Sequence, residues 1–296
     1  MTENTSTTHV AGLLKSLEQA LAGLGPCAVA VSGGVDSMTL AVVAHRSLGA
    51  GRVTMFHAQS AAVPPEATAR VKAYADREGW QLRTIDAREI EDPRYVANPA
   101  NRCYFCKTNL YGTISGLTTE QLLSGTNRDD LGDFRPGLSA AREHAVKHPY
   151  VESAVDKNGV RAIARYLGLD DLSELPAAPC LSSRVETGIS IDPASLVAIH
   201  AAERLLAAEL TPETVRCRLR SEGVVIELDA ASLQRLQASA AEVRDGLISR
   251  IGAPFSGSPS VQFTTYQRGS AFLRETLSGK FDGHRTAGTE ALSSGK

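Results

Sequence analysis

Four short stretches of this 296-residue chain combine residues that can do chemistry. The first is Ser32-Gly33-Gly34-Val35-Asp36-Ser37, set between the apolar run CAVAV and a helix-forming segment. Two adjacent glycines let a backbone turn tightly and approach an anion with no Cβ in the way. The Ser37 hydroxyl and the unpaired N–H groups of a helix start can then hold a phosphate, helped by the helix dipole. The spacing fits neither GxxxxGK[ST] nor GxGxxG, which sets it apart from Walker and dinucleotide loops. The second stretch, NRCYFCK at 101–107, separates Cys103 from Cys106 by two residues. Taken alone it suits half of a zinc site, a dithiol redox pair or part of an iron–sulfur site. With no second CxxC to complete a zinc site, and no thioredoxin-like setting, the first two uses are disfavoured.

The third stretch is PAAPCLSSR, where prolines stiffen the loop around Cys180 and Ser182, Ser183 and Arg184 follow it. Hydrogen-bond donors and a positive charge favour a thiolate, although a lone cysteine after a proline is by itself more often a core residue. The fourth is VRCRLR at 215–220. As a strand it would set Arg216, Arg218 and Arg220 on one face, ~7 Å apart in succession, with Cys217 pointing inward. Such a row suits phosphate recognition; a solvated face is expected for Arg220. Cys27 is expected in the core, and Glu227 on the neighbouring strand is a weaker candidate.

The elements that must position these residues follow from periodicity and punctuation. Strands are expected at CAVAV, RVTMFHA, WQLRTID and EQLLSG, alternating with helices over VAGLLKSLEQALAGL, DSMTLAVVAHRSLG and PEATARVKAYADREG. Gly49 and Gly79 are expected to end the second and third of these. That alternation implies crossover units and a parallel sheet. Beyond PCLSSR the pattern changes: a strand at ISIDP, a helix over ASLVAIHAAERLLAAEL, strands at TVRCRLR and GVVIELD, one helix over AASLQRLQASAAEVRDGLIS and a last strand at SVQFTTY. This βαββαβ order suits a small α+β unit, ferredoxin-like in outline. The expected division is a domain over 10–180 that carries the glycine-rich anion loop and an α+β domain over 181–280, with disordered tails at 1–9 and 281–296.

Composition is that of an ordinary globular enzyme, with 43% hydrophobic and 22% charged residues. A formal charge of −2 offers no global attraction to nucleic acid or anionic membrane. No apolar run approaches the ~20 residues of a membrane span, and the polar MTENTSTTHV start lacks the features of a signal peptide. Five cysteines in a chain of this length suggest no disulfide scaffold. A cytoplasmic protein is expected.

Ser-Gly-Gly-x-Asp-Ser after a strand resembles the PP-loop of the ATP pyrophosphatases, which cleave ATP to AMP and pyrophosphate. The resemblance implies a parallel-sheet α/β domain of that fold, with a smaller α+β domain after it. It also implies that Ser32, Gly33, Gly34, Asp36 and Ser37 hold the pyrophosphate end of ATP with magnesium. SGTNRDD at 124–130 agrees with the GTN segment of relatives and adds Gly125, Thr126 and Asn127 as nucleotide contacts. For Asp129 and Asp130 a metal role and a helix-start role are equally open.

Together and in order, NPANRCYFCKTNLY, GTNRDDLGDFRPG, PAAPCLSSR and VRCRLR resemble the LarE family of sulfurtransferases. These place sulfur on a pyridinium dicarboxylate mononucleotide, the precursor of the nickel-pincer cofactor. The resemblance implies Cys180 as the central sulfur site with Ser183 and Arg184 beside it, and Arg216 and Arg218 as the substrate-phosphate pair. It further implies that Cys103, Cys106 and Cys180 follow the three-cysteine pattern that binds a 4Fe-4S cluster, as against the one-cysteine form that sacrifices its own sulfur. A pyridinium mononucleotide substrate, a sulfide donor and a homo-oligomer are the expected partners, with no nucleic acid or membrane. Ser124, RVETGISID and VDKNGVR depart from the family pattern, which leaves room for a different acceptor, and a tRNA thiolase of the same superfamily is the rival reading.

Overall fold

The computed structural model describes residues 2–132, 135–257 and 259–267. The expected tail at 281–296, and Asp133 and Phe134 of the GDF segment, lie outside the described residues.

Helix α1 (Thr2–Ala22) precedes strand β1 (Cys27–Ala30), helix α2 (Val35–Leu48), strand β2 (Val53–Ala58), helix α3 (Pro65–Glu78) and strand β3 (Gln81–Ile85). The first helix starts well before Val10, taking in the stretch expected as a tail; neither Gly nor Pro interrupts residues 2–11. Next come the one-turn α4 (Pro93–Val96), α5 (Arg102–Ser115), β4 (Gln121–Leu123), α6 (Gly137–Glu143), α7 (Pro149–Glu152), α8 (Lys157–Tyr166) and α9 (Asp170–Ser173). The four strands form one parallel sheet in the order β3-β2-β1-β4.

Both faces of this sheet are buried, as a parallel sheet requires. Cys27, Val29, Val53 and Met55 face one core with residues of α1, α2, α3 and α8, whereas Ala28 and Phe56 face another with Tyr111 and Ile114 of α5 and Ala140 and Ala141 of α6. The chain turns from strand to helix at the C-terminal edge, which is where ligands bind in open α/β sheets.

The rest of the described chain holds α10 (Pro193–Leu210), β5 (Val215–Arg220), β6 (Gly223–Leu228), α11 (Ala230–Ala238), α12 (Ala241–Gly252) and β7 (Val261–Thr265). Strand β6 is central, antiparallel to β5 and parallel to β7. Two expectations are corrected here. ISIDP is no strand: Val185 alone bridges to Leu219, and the Ile189 carbonyl and Ile191 N–H are taken by Asn98 and Val96. The single long helix is two, because the chain extends at Ser239 and Ala240 and Arg244 bonds the carbonyls of Gln237 and Ser239. The second unit is α+β, but its order is αββααβ. Its core is built mainly from α10 to β7, yet Ala62, Tyr95, Phe105 and Cys106 from the first half of the chain pack into it. No helix among the described residues is long and apolar enough to cross a membrane.

Candidate active site

The phosphate loop sits between β1 and α2 and is held closed by its own serines. The Ser32 N–H donates to Ser37 Oγ at 3.0 Å, the two hydroxyls lie 3.1 Å apart, and Ser37 also donates to the Gly34 carbonyl at 3.3 Å. Gly33 has φ +80°, and a Cβ there would lie 2.6 Å from the Ala67 carbonyl oxygen of α3. Only glycine meets both demands. Arg70, one turn further along α3, donates to the Gly33 carbonyl at 2.7 Å.

The loop after β4 closes over the start of α2. A Cβ on Gly125 would lie 2.7 Å from the Ser37 nitrogen, so this loop and the phosphate loop touch backbone to backbone. Asn127 donates from Nδ2 to Asp36 Oδ1 at 3.1 Å, Lys157 at the start of α8 pairs with Asp36 Oδ2, and Tyr150 donates to the Asp36 carbonyl at 3.1 Å. The structure therefore brings Ser32, Gly33, Gly34, Asp36, Ser37, Gly125 and Asn127 together. Thr126 joins them through Ser124, whose hydroxyl lies 3.1 Å from Thr126 Oγ1 and 2.9 Å from His148 Nδ1. Asp129 and Asp130 are occupied locally. Asp129 accepts from the Lys157 N–H, and Asp130 accepts from the Asn127 N–H and pairs with Arg135. Lys157 and Tyr150 carry no sequence signal, because their partner Asp36 lies more than a hundred residues away.

The cysteine loop is assembled from both halves of the chain. The Leu181 N–H donates to the Ala62 carbonyl, and the buried Tyr95 hydroxyl bonds that of Ser182. Arg184 is almost wholly buried and holds Glu203 of α10 at 2.9 and 3.3 Å, with Nη1 also donating to the Pro179 carbonyl and to Ser183 Oγ, both at 2.9 Å. Its guanidinium thus fixes the backbone on either side of Cys180. Glu203 in turn accepts from the Cys217 N–H. Removing one partner of such a buried pair strands the other charge, so Glu203→Ala is expected to destabilise the protein by about 3 kcal/mol. The urea midpoint reads this directly; an unchanged midpoint would show that the pair holds nothing in place.

Asn98 ties the two cysteine-bearing segments together. It is fully buried, lies at φ 52°, and donates from Nδ2 to the carbonyls of Glu186 at 2.7 Å and Ile189 at 2.8 Å; its own carboxamide oxygen accepts from Arg102 at the start of α5. Asparagine tolerates this left-handed conformation better than most residues. The Asn-Pro pair at 98–99 was the available sequence signal for a turn. Its stitching role could not be read without the partner.

Cys103 and Cys106 sit one turn apart at the start of α5, and Cys180 lies exposed on the facing loop. Cys106 is pushed up to about 12 by burial, against the pull of the Lys107 charge and with the charge of Cys180 adding to it. Cys103 keeps surface open to solvent, yet the protein packed round it strips enough water to raise its thiol, and Cys180 adds to that rise. All three sulfurs are therefore within electrostatic reach of one another. Among the described residues no three His, Cys, Asp or Glu side chains converge closely enough to grip a single metal ion. Cys27 and Cys217 are both buried in the cores.

The arginine row faces as the alternation requires, with Cys217 buried opposite. Its members differ. Arg218 is buried on Glu227 at 3.1 Å and donates to the Ser183 carbonyl at 3.0 Å, and Arg220 also meets Glu227 at 3.2 Å. Arg216 donates to the Ala177 carbonyl at 3.2 Å and lines a cleft of about 300 Å³ bounded by Pro179, Leu181, Arg184 and α10. The structure brings Arg216 to this cleft and sets Arg218 behind the cysteine loop as a brace.

No protein-family model matches the chain. It is 37% identical over 226 residues to an uncharacterised protein of Synechocystis sp., covering 75% of this chain and 83% of that one. It is 28% identical over 222 residues to the pyridinium-3,5-bisthiocarboxylic acid mononucleotide synthase of Lactiplantibacillus plantarum, covering 74% of this chain and 80% of that enzyme. Over 159 residues, 48% of this chain and 50% of the other, it is 30% identical to a component of the glutamine-hydrolysing GMP synthase of Methanopyrus kandleri. Joined to the four-stranded parallel sheet, the clasped Ser-Gly-Gly-x-Asp-Ser loop and the cysteine loop, these likenesses place the chain in the LarE family of the PP-loop ATP pyrophosphatases.

Proposed function

We propose that this protein is an ATP-dependent sulfurtransferase that converts a carboxylate of a pyridinium-3,5-dicarboxylate mononucleotide into a thiocarboxylate, in nickel-pincer cofactor synthesis. The observation that carries the reading is the Ser32–Ser37 loop clasped at the edge of the parallel sheet, in a chain whose exposed Cys180 sits between Pro179 and Leu181 of a cleft lined by Arg216. A carboxylate is a poor electrophile. Its oxygen attacks the α-phosphorus of ATP, pyrophosphate leaves, and the acyl carbon now carries AMP as leaving group. A sulfur nucleophile adds to that carbon, the C–O bond breaks, and AMP departs with the former carboxylate oxygen.

In this scheme the Ser32–Ser37 loop and the start of α2 bind the departing pyrophosphate. Lys157 supplies a cation to the phosphates, while Asp36, released from it, is the carboxylate available to magnesium. Arg216 takes the substrate phosphate from the cleft wall; Arg218, the other arginine expected there, holds the Ser183 carbonyl and with it the loop. Ser183 and Arg184 keep Cys180 presented.

The donor set fits a 4Fe-4S cluster bound through Cys103, Cys106 and Cys180, because a cluster spreads its thiolates further apart than one ion does. Burial raises the thiols of Cys103 and Cys106, which disfavours a free thiolate nucleophile at either position. With three protein thiolates, such a cluster leaves one iron free to carry sulfur. The competing source is the Cys180 sulfur itself, consumed in a single turnover.

The test is to supply ATP, magnesium, sulfide and the pyridinium mononucleotide under anaerobic conditions. AMP and pyrophosphate should appear in equal amounts, and only when the acceptor is present. Acceptor-independent AMP release would overturn the reading. Tight, salt-sensitive tRNA binding would redirect it to an RNA thiolase.

A further inference from the structure

Helix α10 forms one wall of the cleft, and its lining residues His200, Glu203, Arg204 and Ala207 recur at helical spacing. Glu203 is committed to Arg184. His200 and Arg204 instead reach across to Glu66 in the first turn of α3: His200 Nε2 lies 3.3 Å from Glu66 Oε2, and Arg204 bonds Oε1. Arg204 and Glu66 keep 65% and 43% of their side chains exposed, so water competes for this pair and it exchanges partners at little cost. A histidine and an arginine on one helix face, lining a cleft and satisfied by one loosely held carboxylate, form a carboxylate-binding pair with a placeholder in it.

This inference rests on the proposed substrate, which carries three anionic groups. Arg216 faces the cleft for the phosphate, and the activated carboxylate must stay free to meet ATP. The remaining carboxylate would lose water on entering the cleft and needs its own cations. We propose that His200 and Arg204 bind the second, non-reacting carboxylate of the substrate, displacing Glu66. The planar guanidinium can take both carboxylate oxygens, which a lysine could not match. The pair would then select dicarboxylates over otherwise identical monocarboxylates.

Titration calorimetry on the full chain tests this with three probes: the dicarboxylate mononucleotide, the same mononucleotide lacking one carboxylate, and the dicarboxylate riboside lacking the phosphate. Arg204→Gln should weaken the dicarboxylate mononucleotide about tenfold, the scale of one charged hydrogen bond. It should weaken the riboside equally and leave the monocarboxylate unchanged. His200→Gln should show the same pattern more weakly, and Glu66→Gln should tighten the dicarboxylate. Equal losses on mono- and dicarboxylate, or a loss that vanishes with the riboside, would overturn the assignment while leaving the proposed function standing. Wild-type protein that binds none of the three would overturn both. Unshifted melting temperatures for the variants would show that they are folded.

Discussion

Cys180→Ser is expected to abolish thiocarboxylate formation, by ~10³-fold or more, the scale seen when a reacting nucleophile is removed, while ATP–pyrophosphate exchange driven by the pyridinium substrate persists. The two half-reactions are separable because the loops that serve them are separate. The segments proposed to hold the nucleotide, the Ser32–Ser37 loop and Gly125–Asn127, are built on the first sheet. Cys180 sits on a loop fixed by Arg184, Glu203 and Tyr95. Its exposed position means that serine should change stability by no more than about 0.5 kcal/mol. Cys217→Ser makes the opposite pattern: its thiol is buried in the second core, with a pKa raised by burial, and the variant should lose stability while keeping transfer. Chromatographic separation of product and isotope exchange into ATP read the two steps independently. Simultaneous loss of both in Cys180→Ser would show that the cysteine serves adenylation.

Gly125→Ala is expected to cut ATP use by about a hundredfold. The added methyl would lie 2.7 Å from the Ser37 nitrogen, 2.8 Å from the Asp36 carbonyl carbon and 2.9 Å from the Ser37 Cα. All three are backbone atoms of the first turn of α2, so no side chain can swing aside. Either the segment after β4 lifts or the phosphate loop shifts. In both cases Asn127 moves away from Asp36. A displacement of that size at a phosphate-positioning loop costs ~10²-fold in rate. kcat/KM for ATP in the exchange assay measures it, beside a circular dichroism melt to show that the sheet still forms. Wild-type exchange in this variant would mean that the contact between the two loops is not needed for nucleotide binding.

Most of the fold was legible because it is written locally. Strands β1 and β2 of the first sheet are largely apolar runs, and Gly49 and Gly79 end their helices at φ +89° and +67°, as expected. ISIDP misled because Ile189 and Ile191 alternate like a strand, although their backbone groups serve Asn98 and Val96. The break in the last long helix was hidden because Arg244, which satisfies the exposed carbonyls, lies beyond it.

The site divides the same way. The phosphate loop and its Gly-Thr-Asn partner announce themselves through glycines whose missing Cβ is a local property. What each charged side chain holds is not local. Arg216 and Arg218 look alike in VRCRLR, yet one lines the cleft and the other is buried on Glu227 of the paired strand. Arg184 reads as a charge for a thiolate until Glu203 on α10 is seen to occupy it. Tyr95, Asn98 and Lys157 each act on a residue about ninety or more positions away. No periodicity could find them.

Activation of the acceptor carboxylate by ATP is the central claim, and an oxygen label tests it most directly. Pyridinium mononucleotide carrying heavy oxygen in its carboxylates should, after one turnover with ATP, magnesium and sulfide, yield AMP with one heavy oxygen in its phosphate and a thiocarboxylate that has lost one. AMP free of label beside a labelled product would contradict the account, because the carboxylate oxygen would then never have been joined to the nucleotide.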